Sequence, residues 1–255
     1  MRKKIFTIMG IVAVIALFTM TAQVGATPIT FSGSGTNPIT GQAISASATF
    51  DIVGTFLQVT LTNTGADVMA PSDVLTALFF NITGNPSLTP GSATLASGSS
   101  VLFGGSDPGG VVGGEWAYTN IASGAPNGAT QGISSSGLGI FGGANFPGSN
   151  LQDPSAVDGV QYGITSGADN PSTGNAAVTG SNALIKNSVV FLLSNLQGTS
   201  LNQISNVSFQ YGTGLSEPNL PSNPVPEPTT LLLLGSGLIG MAGYGRKKFR
   251  KQLPA

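Results

Sequence analysis

The sequence predicts an all-β protein: one β-sandwich or jelly-roll domain at residues 27–220, between an N-terminal signal peptide and a C-terminal transmembrane helix. Three observations predict this fold. Apolar residues alternate with Ser and Thr in the body, residues 27–220, as in half-buried strands. Turn residues rich in Gly, Pro and Asn separate these segments. No segment of the body has the 3.6-residue apolar period of an amphipathic helix.

The first clear elements form a predicted hairpin. Residues 44–50 (ISASATF) and 57–61 (LQVTL) each alternate apolar and polar side chains, which indicates two strands, each with one buried and one solvent-exposed face. The connection between them contains Gly54, a residue suited to a tight turn. We therefore expect these strands to pair with each other and to bury the same face.

Further elements follow in order along the body. Residues 71–73 (PSD) predict one helical turn capped by Ser72 or Asp73. Beyond it, residues 78, 80 and 82 share one apolar face, opposite Phe79. The run 189–193 (VVFLL) is apolar on both faces, as in a central strand. The other predicted strands are residues 99–103, 115–119, 159–165, 184–193 and 206–211.

The N-terminus has the three parts of a secretory signal peptide. Three basic residues precede an uncharged apolar run at 5–20, and small residues lead to a cleavage site after Ala26. The alternative is a retained membrane anchor, but the apolar run is short for a full span. We predict a signal peptide at residues 1–26.

The C-terminus predicts a linker, a membrane span and a basic tail. Prolines at 221, 224, 226 and 228 should hold the linker, residues 221–230, extended and outside the sheet. Residues 231–245 are uncharged and apolar, and with the flanking residues from 228 they are long enough to cross a bilayer as a helix. Residues 246–255 contain five basic residues, which argues against a buried core helix and predicts a cytoplasmic tail.

Charge predicts the topology. Eight of the nine basic residues lie in two terminal clusters, which stay on the cytoplasmic side of the membrane. Lys186 is the one basic residue between the clusters, whereas all ten acidic residues lie there, so this middle portion has a net charge of −9. We therefore predict that the body is exported.

The tail resembles the PEP-CTERM sorting signal. Residues 225–229 (VPEPT) precede a short Leu- and Gly-rich span and then residues 246–248 (RKK), the order of parts found in that signal. The resemblance implies that the membrane protease exosortase recognises Pro226, Glu227 and Pro228, removes the tail, and releases or transfers the body outward. It also implies a Gram-negative host that makes exopolysaccharide. The alternative is a stiff spacer before an ordinary single-pass anchor.

The body also resembles PEP-CTERM exosortase-dependent surface proteins. This resemblance implies a secreted β-rich protein, and it assigns no catalytic residue. The stretches that carry it are residues 59–64 (VTLTNT), 71–80 (PSDVLTALFF), 109–118 (GGVVGGEWAY), 131–140 (QGISSSGLGI), 182–191 (NALIKNSVVF) and 204–212 (ISNVSFQYG).

Composition excludes several classes of chemistry. The chain has no His and no Cys, so it has no Ser-His-Asp triad, thiolate nucleophile or disulfide, and no imidazole or thiolate ligand for zinc. It has no basic patch in the body to bind nucleic acid. We predict no catalytic residue, no metal site and no cofactor.

Two aromatic residues are candidates for glycan binding. Trp116 and Tyr118 project to the same face of a predicted strand, and aromatic rings stack on sugars in many lectins. The alternative is that both belong to the core, which is the more frequent position for such a pair. The Gly-rich connections at 104–114 and 132–154 either frame a ligand or pack against the sheet.

The carboxylates are scattered along the body. A glycan hydrolase needs two of them on either side of the bond that it cleaves, and Glu115 with a neighbouring Asp is the candidate pair. Asp153 and Asp158 lack the alternating Asp pattern of a calcium loop, although a calcium site in a loop stays open. The scattered acidic residues are Asp51, Asp67, Asp73, Asp107, Glu115, Asp153, Asp158 and Asp169.

The function predicted from the sequence is that of an exported, exosortase-processed surface or exopolysaccharide-matrix protein without catalytic activity. Its partners would be exosortase, the inner membrane before processing, and exopolysaccharide. A carbohydrate-binding module is the first alternative, a carboxylate-based glycan hydrolase the second, and an uncut single-pass membrane protein the third.

Overall fold

A computed structural model describes residues 27–121, 123–142, 145–148, 159–225 and Gly237. Between residues 27 and 225, the described residues form strands, turns and short 3-10 helices, with no α-helix. The strands are β1 (Ile29–Thr36), β2 (Ala43–Val53), β3 (Phe56–Asn63), β4 (Leu75–Ile82), β5 (Thr89–Leu95), β6 (Ser100–Leu102), β7 (Ala117–Asn120), β8 (Gln131–Ser134), β9 (Ile164–Thr165), β10 (Leu184–Lys186), β11 (Ser188–Ser194), β12 (Ile204–Tyr211), β13 (Asn219–Pro221) and β14 (Asn223–Val225). The 3-10 helices are Pro71–Asp73, Pro108–Gly110, Gly113–Glu115, Pro126–Gly128 and Leu201–Gln203.

The strands form two sheets, which confirms the all-β prediction and is consistent with a β-sandwich. The first sheet has the order β14-β1-β2-β3-β11-β5. The second has the order β13-β12-β4-β9-β10-β6, and β8 pairs with β4 and β7 at its side. Nearly all neighbours are antiparallel; the β9–β10 pair is parallel.

The core lies between the two sheets. Phe50 of β2 and Phe80 of β4 come from opposite sheets, and their ring centroids are 5.3 Å apart in an edge-to-face arrangement. Phe31 of β1 contacts Phe50 in the same manner at 5.8 Å. Each of these rings is buried, so they join the two sheets through apolar contact.

The predicted hairpin is confirmed. β2 and β3 pair from Ala46↔Asn63 to Val53↔Phe56, and the residues predicted to be apolar on each strand are buried. Gly54 and Thr55 form the two-residue turn, in which Gly54 has a φ of +62°. A positive φ at the first turn residue matches the twist of the paired strands.

Strand β4 is buried on both faces. Leu78, Phe80 and Ile82 face the main core, as predicted, whereas Phe79 faces a second apolar cluster on the other side of the sheet. Phe141 covers Phe79 there, with ring centroids 6.0 Å apart. Part of the Gly-rich connection after β8 therefore packs against the sheet, which is one of the two alternatives for that segment.

The predicted strand at 184–193 is two strands in different sheets. β10 belongs to the second sheet and β11 to the first, and Asn187 between them has a φ of +87°. Asn187 N donates to Thr165 O in the second sheet, and Asn187 O accepts from Asn63 N in the first. Asn tolerates this left-handed conformation better than other residues that have a side chain, so the chain can pass between sheets here.

Other predicted elements are shorter or shifted. Of residues 159–165, only Ile164–Thr165 form a strand, and the predicted strand at 115–119 begins at Ala117, after a 3-10 helix. The predicted strand at 206–211 is β12, in which Ser208 and Gln210 are buried although they alternate with apolar residues. The amide of Gln210 donates to backbone carbonyls of the following turn, including Gly214 O at 3.0 Å, which satisfies it in the interior. Strands β1, β5, β8, β13 and β14 had no predicted counterpart.

The predicted terminal segments lie outside the described residues: the signal peptide at 1–26, the tail at 246–255, and the membrane helix at 231–245 apart from Gly237. Within the described residues, no helix has both the length and the apolar character needed to cross a membrane.

We expect Phe50→Ala to lower the free energy of unfolding by about 3–5 kcal/mol, because it removes a large side chain from the contact between the sheets. Denaturant unfolding of the exported body measures this change. Ser47→Ala, on the outer face of the same strand, is the control and should change stability by less than about 0.5 kcal/mol. Equal effects of the two substitutions would contradict the assignment of Phe50 to the core.

Candidate functional site

The first and last strands of the sandwich meet at one edge of the first sheet. β1 pairs with β2 on one side and with β14 on the other, both antiparallel. In the β1–β14 pair, Thr30 lies opposite Val225. The chain therefore enters the sandwich near residue 29 and leaves it near residue 225 at the same corner.

The first half of the predicted linker belongs to the sheets. Pro221 ends β13 and Pro224 lies in β14, so the prediction that these prolines stay outside the sheet is wrong for residues 221 and 224. Both strands lie at sheet edges. An edge strand uses only half of its backbone groups for pairing, so a proline without an N–H is tolerated there. Ser222 joins β13 to β14, and its hydroxyl donates to Val207 O at 2.7 Å.

The predicted sorting residues follow this corner directly. Pro226, Glu227 and Pro228, like Ala26 at the predicted signal cleavage site, lie outside the described residues. The three sorting residues start at the end of β14, because Val225 is the last residue of that strand and Pro226 is the next residue along the chain. The motif thus begins one residue beyond a strand that is held in the sheet.

Trp116 and Tyr118, the predicted glycan-binding pair, are in the core. Their exposures are 0% and 4%, so neither ring presents a face on which a sugar could stack in this structure. Trp116 packs on Phe191 with ring centroids 4.9 Å apart, and Phe146 covers the same ring of Phe191 at 5.2 Å. Both side chains pack into the main core; Tyr118 lies in β7, whereas Trp116 precedes that strand.

The hydroxyl of Tyr118 is held by polar partners inside the protein. It donates to the side-chain oxygen of Gln131 and accepts from Leu88 N at 3.2 Å. Burial raises the pKa of Tyr118 to about 12, so the phenol stays neutral and keeps its donor role over the physiological range. These contacts indicate a structural role.

Glu115, the predicted acid of a hydrolase pair, is also buried. It is 2% exposed and lies close enough to Tyr162 for its charge, with that of Asp107, to raise the pKa of that phenol beyond the effect of burial. A glycosidase needs its two carboxyls on either side of an accessible bond, and the buried position of Glu115 provides no such surface. Among the described residues, no three acidic side chains come together as a metal site.

Asp73 is a buried carboxylate whose partners are all from the protein. One oxygen accepts from Asn37 Nδ2 at 2.6 Å and from Thr40 Oγ1 at 2.7 Å. The other accepts from Met69 N at 3.1 Å and Ala70 N at 3.2 Å, at the start of the 3-10 helix Pro71–Asp73. The predicted cap is therefore Asp73, and its role is to fasten the β1–β2 loop to the segment before β4.

A polar cleft that the sequence does not predict lies at one end of the sandwich. It has a volume of about 120 Å³ and is formed by the turn after β4 and the turn after β11. No pattern in the sequence marks it, because its residues come from turns that are far apart in the chain. The lining residues are Thr83, Gly84, Pro86, Gln197, Gly198, Thr199 and Gln203.

The segment that begins in β14 matches a known sorting motif. The family model of the PEP-CTERM protein-sorting motif matches residues 224–248. The chain carries a PEP-CTERM sorting signal. The match begins inside β14 and includes Pro226, Glu227 and Pro228, the apolar segment and the first basic residues of the tail. A PEP-CTERM signal implies an exported, membrane-anchored precursor that exosortase processes.

The PEP-CTERM match covers about a tenth of the chain, so the resemblance of the body to exosortase-dependent surface proteins stays a prediction. The search of curated proteins found no match, and neither did the search of solved structures.

We expect the double variant Thr30→Cys with Val225→Cys to form a disulfide on oxidation, because the two positions are direct partners across β1 and β14. The chain has no Cys of its own, so any cross-link must join the new residues. Mass spectrometry of a non-reduced digest measures it. Ile39→Cys with Val225→Cys is the control, since residue 39 lies beyond the far end of β1 and should not cross-link. A disulfide in the control alone would contradict the β1–β14 register.

Proposed function

We propose that this protein is a non-enzymatic component of the bacterial surface or exopolysaccharide matrix, delivered there by exosortase. The observation that carries the proposal is the PEP-CTERM signal, which begins inside the last strand of a folded β-sandwich. The exported body is the cargo, and the segment after β14 is the part that the protease removes.

The common corner of β1 and β14 supports this order of events. A precursor with an uncut signal peptide and an apolar tail is held at both ends by the same membrane. The pairing of Thr30 with Val225 places both ends at one side of the domain, so the sandwich folds without pulling either end away. Residue 231 lies six residues beyond Val225, a reach of at most roughly 22 Å when fully extended.

The outer face of the first sheet supports a place in a hydrated polysaccharide. Thr30, Thr49 and Thr60 are aligned across β1, β2 and β3, and a parallel row of hydroxyls follows two residues along. Hydroxyl groups donate and accept hydrogen bonds without charge, as sugar hydroxyls do. With Lys186 as the one basic residue of the body, this surface offers little for nonspecific ionic binding to acidic polymers. The second row consists of Ser32, Ser47 and Thr62.

The absence of His and Cys from the whole chain, with the buried positions of Glu115 and Tyr118, supports a role without catalysis. Groups that act on a substrate must reach it, whereas these side chains belong to the interior of the sandwich.

We expect the protein isolated from its own host to have a mass that begins near Thr27 and ends near Pro226, because the signal peptidase and exosortase act at these two places. Intact mass spectrometry measures both ends at once. Replacing Pro226, Glu227 and Pro228 by Ala should leave the tail attached, while Asn223→Ala in β14 keeps the motif and should be processed normally. A wild-type mass that retains residues 231–255 would instead identify an uncut single-pass membrane protein.

Carbohydrate binding is a second candidate, and the polar cleft at Thr83 and Gln203 is the observation that favours it. Its uncharged amides and hydroxyls match the hydrogen-bonding groups of a neutral sugar. Affinity electrophoresis against exopolysaccharide from the host separates the two functions. A structural protein should show no saturable retardation. Saturable retardation that is lost in Gln197→Ala, on the cleft wall, and kept in Ser47→Ala, on the first sheet, would favour the binding module.

A further inference from the structure

Two loops of the sandwich are joined by two carboxylates, each of which accepts a hydrogen bond from a backbone amide of the other loop. The first follows β3 and contains Asp67; the second follows β9 and contains Asp169. Asp67 Oδ1 accepts from Asn170 N at 2.8 Å, and Asp169 Oδ1 accepts from Val68 N at 2.9 Å. Each carboxylate therefore binds the amide next to the other one, which brings the two acidic side chains together.

The charge of Asp67 adds to the effect of burial in raising the pKa of Asp169, so the two carboxylates are close enough to interact. Asp169 is 6% exposed, whereas Asp67 is at the surface and also accepts a hydrogen bond from the hydroxyl of Thr173. Two ionised carboxylates at this separation repel each other unless a proton or a cation lies between them. The ammonium of Lys186 donates to the backbone carbonyl of Asp169 at 2.8 Å, and among the described residues no hydrogen bond from it to either carboxylate is found.

A buried hydroxyl points to a cation. Thr165 is fully buried, and its side chain lies beside the carboxylate of Asp169. Its Oγ1 nevertheless makes no hydrogen bond of acceptable geometry within the described residues. The Oγ of the next residue, Ser166, is buried without a partner as well. Buried hydroxyl oxygens without partners are unfavourable, and a metal ion beside the carboxylates would give the Thr165 oxygen a ligand role.

We propose that Asp67 and Asp169 bind Ca²⁺, with the hydroxyl of Thr165 as a further ligand and water at the exposed side of Asp67. All the available ligands are oxygens, which suit a hard cation, and they come from separate segments, which suits the flexible geometry of Ca²⁺ better than the strict octahedron of Mg²⁺. With two carboxylates and the charge of Lys186 nearby, we expect the weak affinity of extracellular sites, on the order of 10⁻⁴–10⁻³ M.

The site would hold the second loop against the first. The loops already touch closely beyond the carboxylates, because Asn175 N donates to Met69 O at 2.9 Å and Gly174 lies against the same backbone. A Cβ at Gly174 would lie 2.7 Å from Val68 O, which leaves no room for a larger residue. Ca²⁺ binding should therefore stabilise the folded protein, since an unfolded chain does not bring Asp67 and Asp169 together.

The test is thermal unfolding of the processed protein, freed of metal with a chelator, at neutral pH and constant ionic strength. About 10 mM CaCl₂ should raise Tm by roughly 3–10 °C, and the same concentration of MgCl₂ should raise it less. Asp169→Asn should lose the response to Ca²⁺, because it keeps the acceptor for Val68 N but removes the charge. Thr165→Val should weaken the response.

Asp51→Asn is the matched control. Asp51 is a half-exposed carboxylate near the other end of β3, so the variant loses one negative charge but should keep the full response to Ca²⁺. If Asp169→Asn does not fold, Asp67→Asn with equilibrium dialysis of Ca²⁺ tests the same site at the exposed carboxylate. The proposal is wrong if Ca²⁺ leaves wild-type Tm unchanged, or if Asp169→Asn responds as strongly as wild type. Stabilisation by mild acid but not by Ca²⁺ would show that the carboxylates share a proton instead. None of these outcomes depends on the proposed function.

Discussion

The antiparallel pairing of β1 with both β2 and β14 is the constraint on which the organisation of this protein depends. A strand can pair along two edges, and β1 uses one edge for the hairpin neighbour and the other for the end of the domain. The consequence is that residues 30 and 225 are neighbours although almost the whole body lies between them. Folding of the sandwich and presentation of the sorting signal are thus linked through one strand pair, because the signal starts in β14.

Buried polar side chains hold distant segments of this domain together, as disulfides do in many exported proteins. Asn63 is 2% exposed, and its Nδ2 donates to Ile164 O at 2.8 Å, across the boundary between the sheets. Asp73 fastens one loop, and Gln210 fastens the turn before β13. Each of these groups is hydrogen-bonded inside the protein, so its burial costs little and its geometry is specific. A chain without Cys can therefore hold long connections against its sheets.

The sequence predicted the parts of the fold that depend on local pattern. β2 and β3 alternate in apolar and polar residues, so the buried face of each could be read directly. In β4, which is buried on both faces, Phe80 and Phe79 were correctly placed on opposite faces. The pattern failed where burial came from a distant segment. Ser208 is polar and buried, and the apolar run around Asn187 is divided between two sheets, which a count of apolar residues cannot detect.

The candidate sites divide in the same way. The PEP-CTERM signal is a linear motif, a run of consecutive residues, so it could be identified from the sequence by itself; the family model matches residues 224–248. Whether Trp116 faces a glycan or the core was decided by tertiary structure, since both alternatives share one strand pattern. The approach of Asp67 to Asp169 also belongs to tertiary structure. The two residues are far apart in the chain, and only the packing of their loops, through each other's backbone amides, brings the carboxylates together.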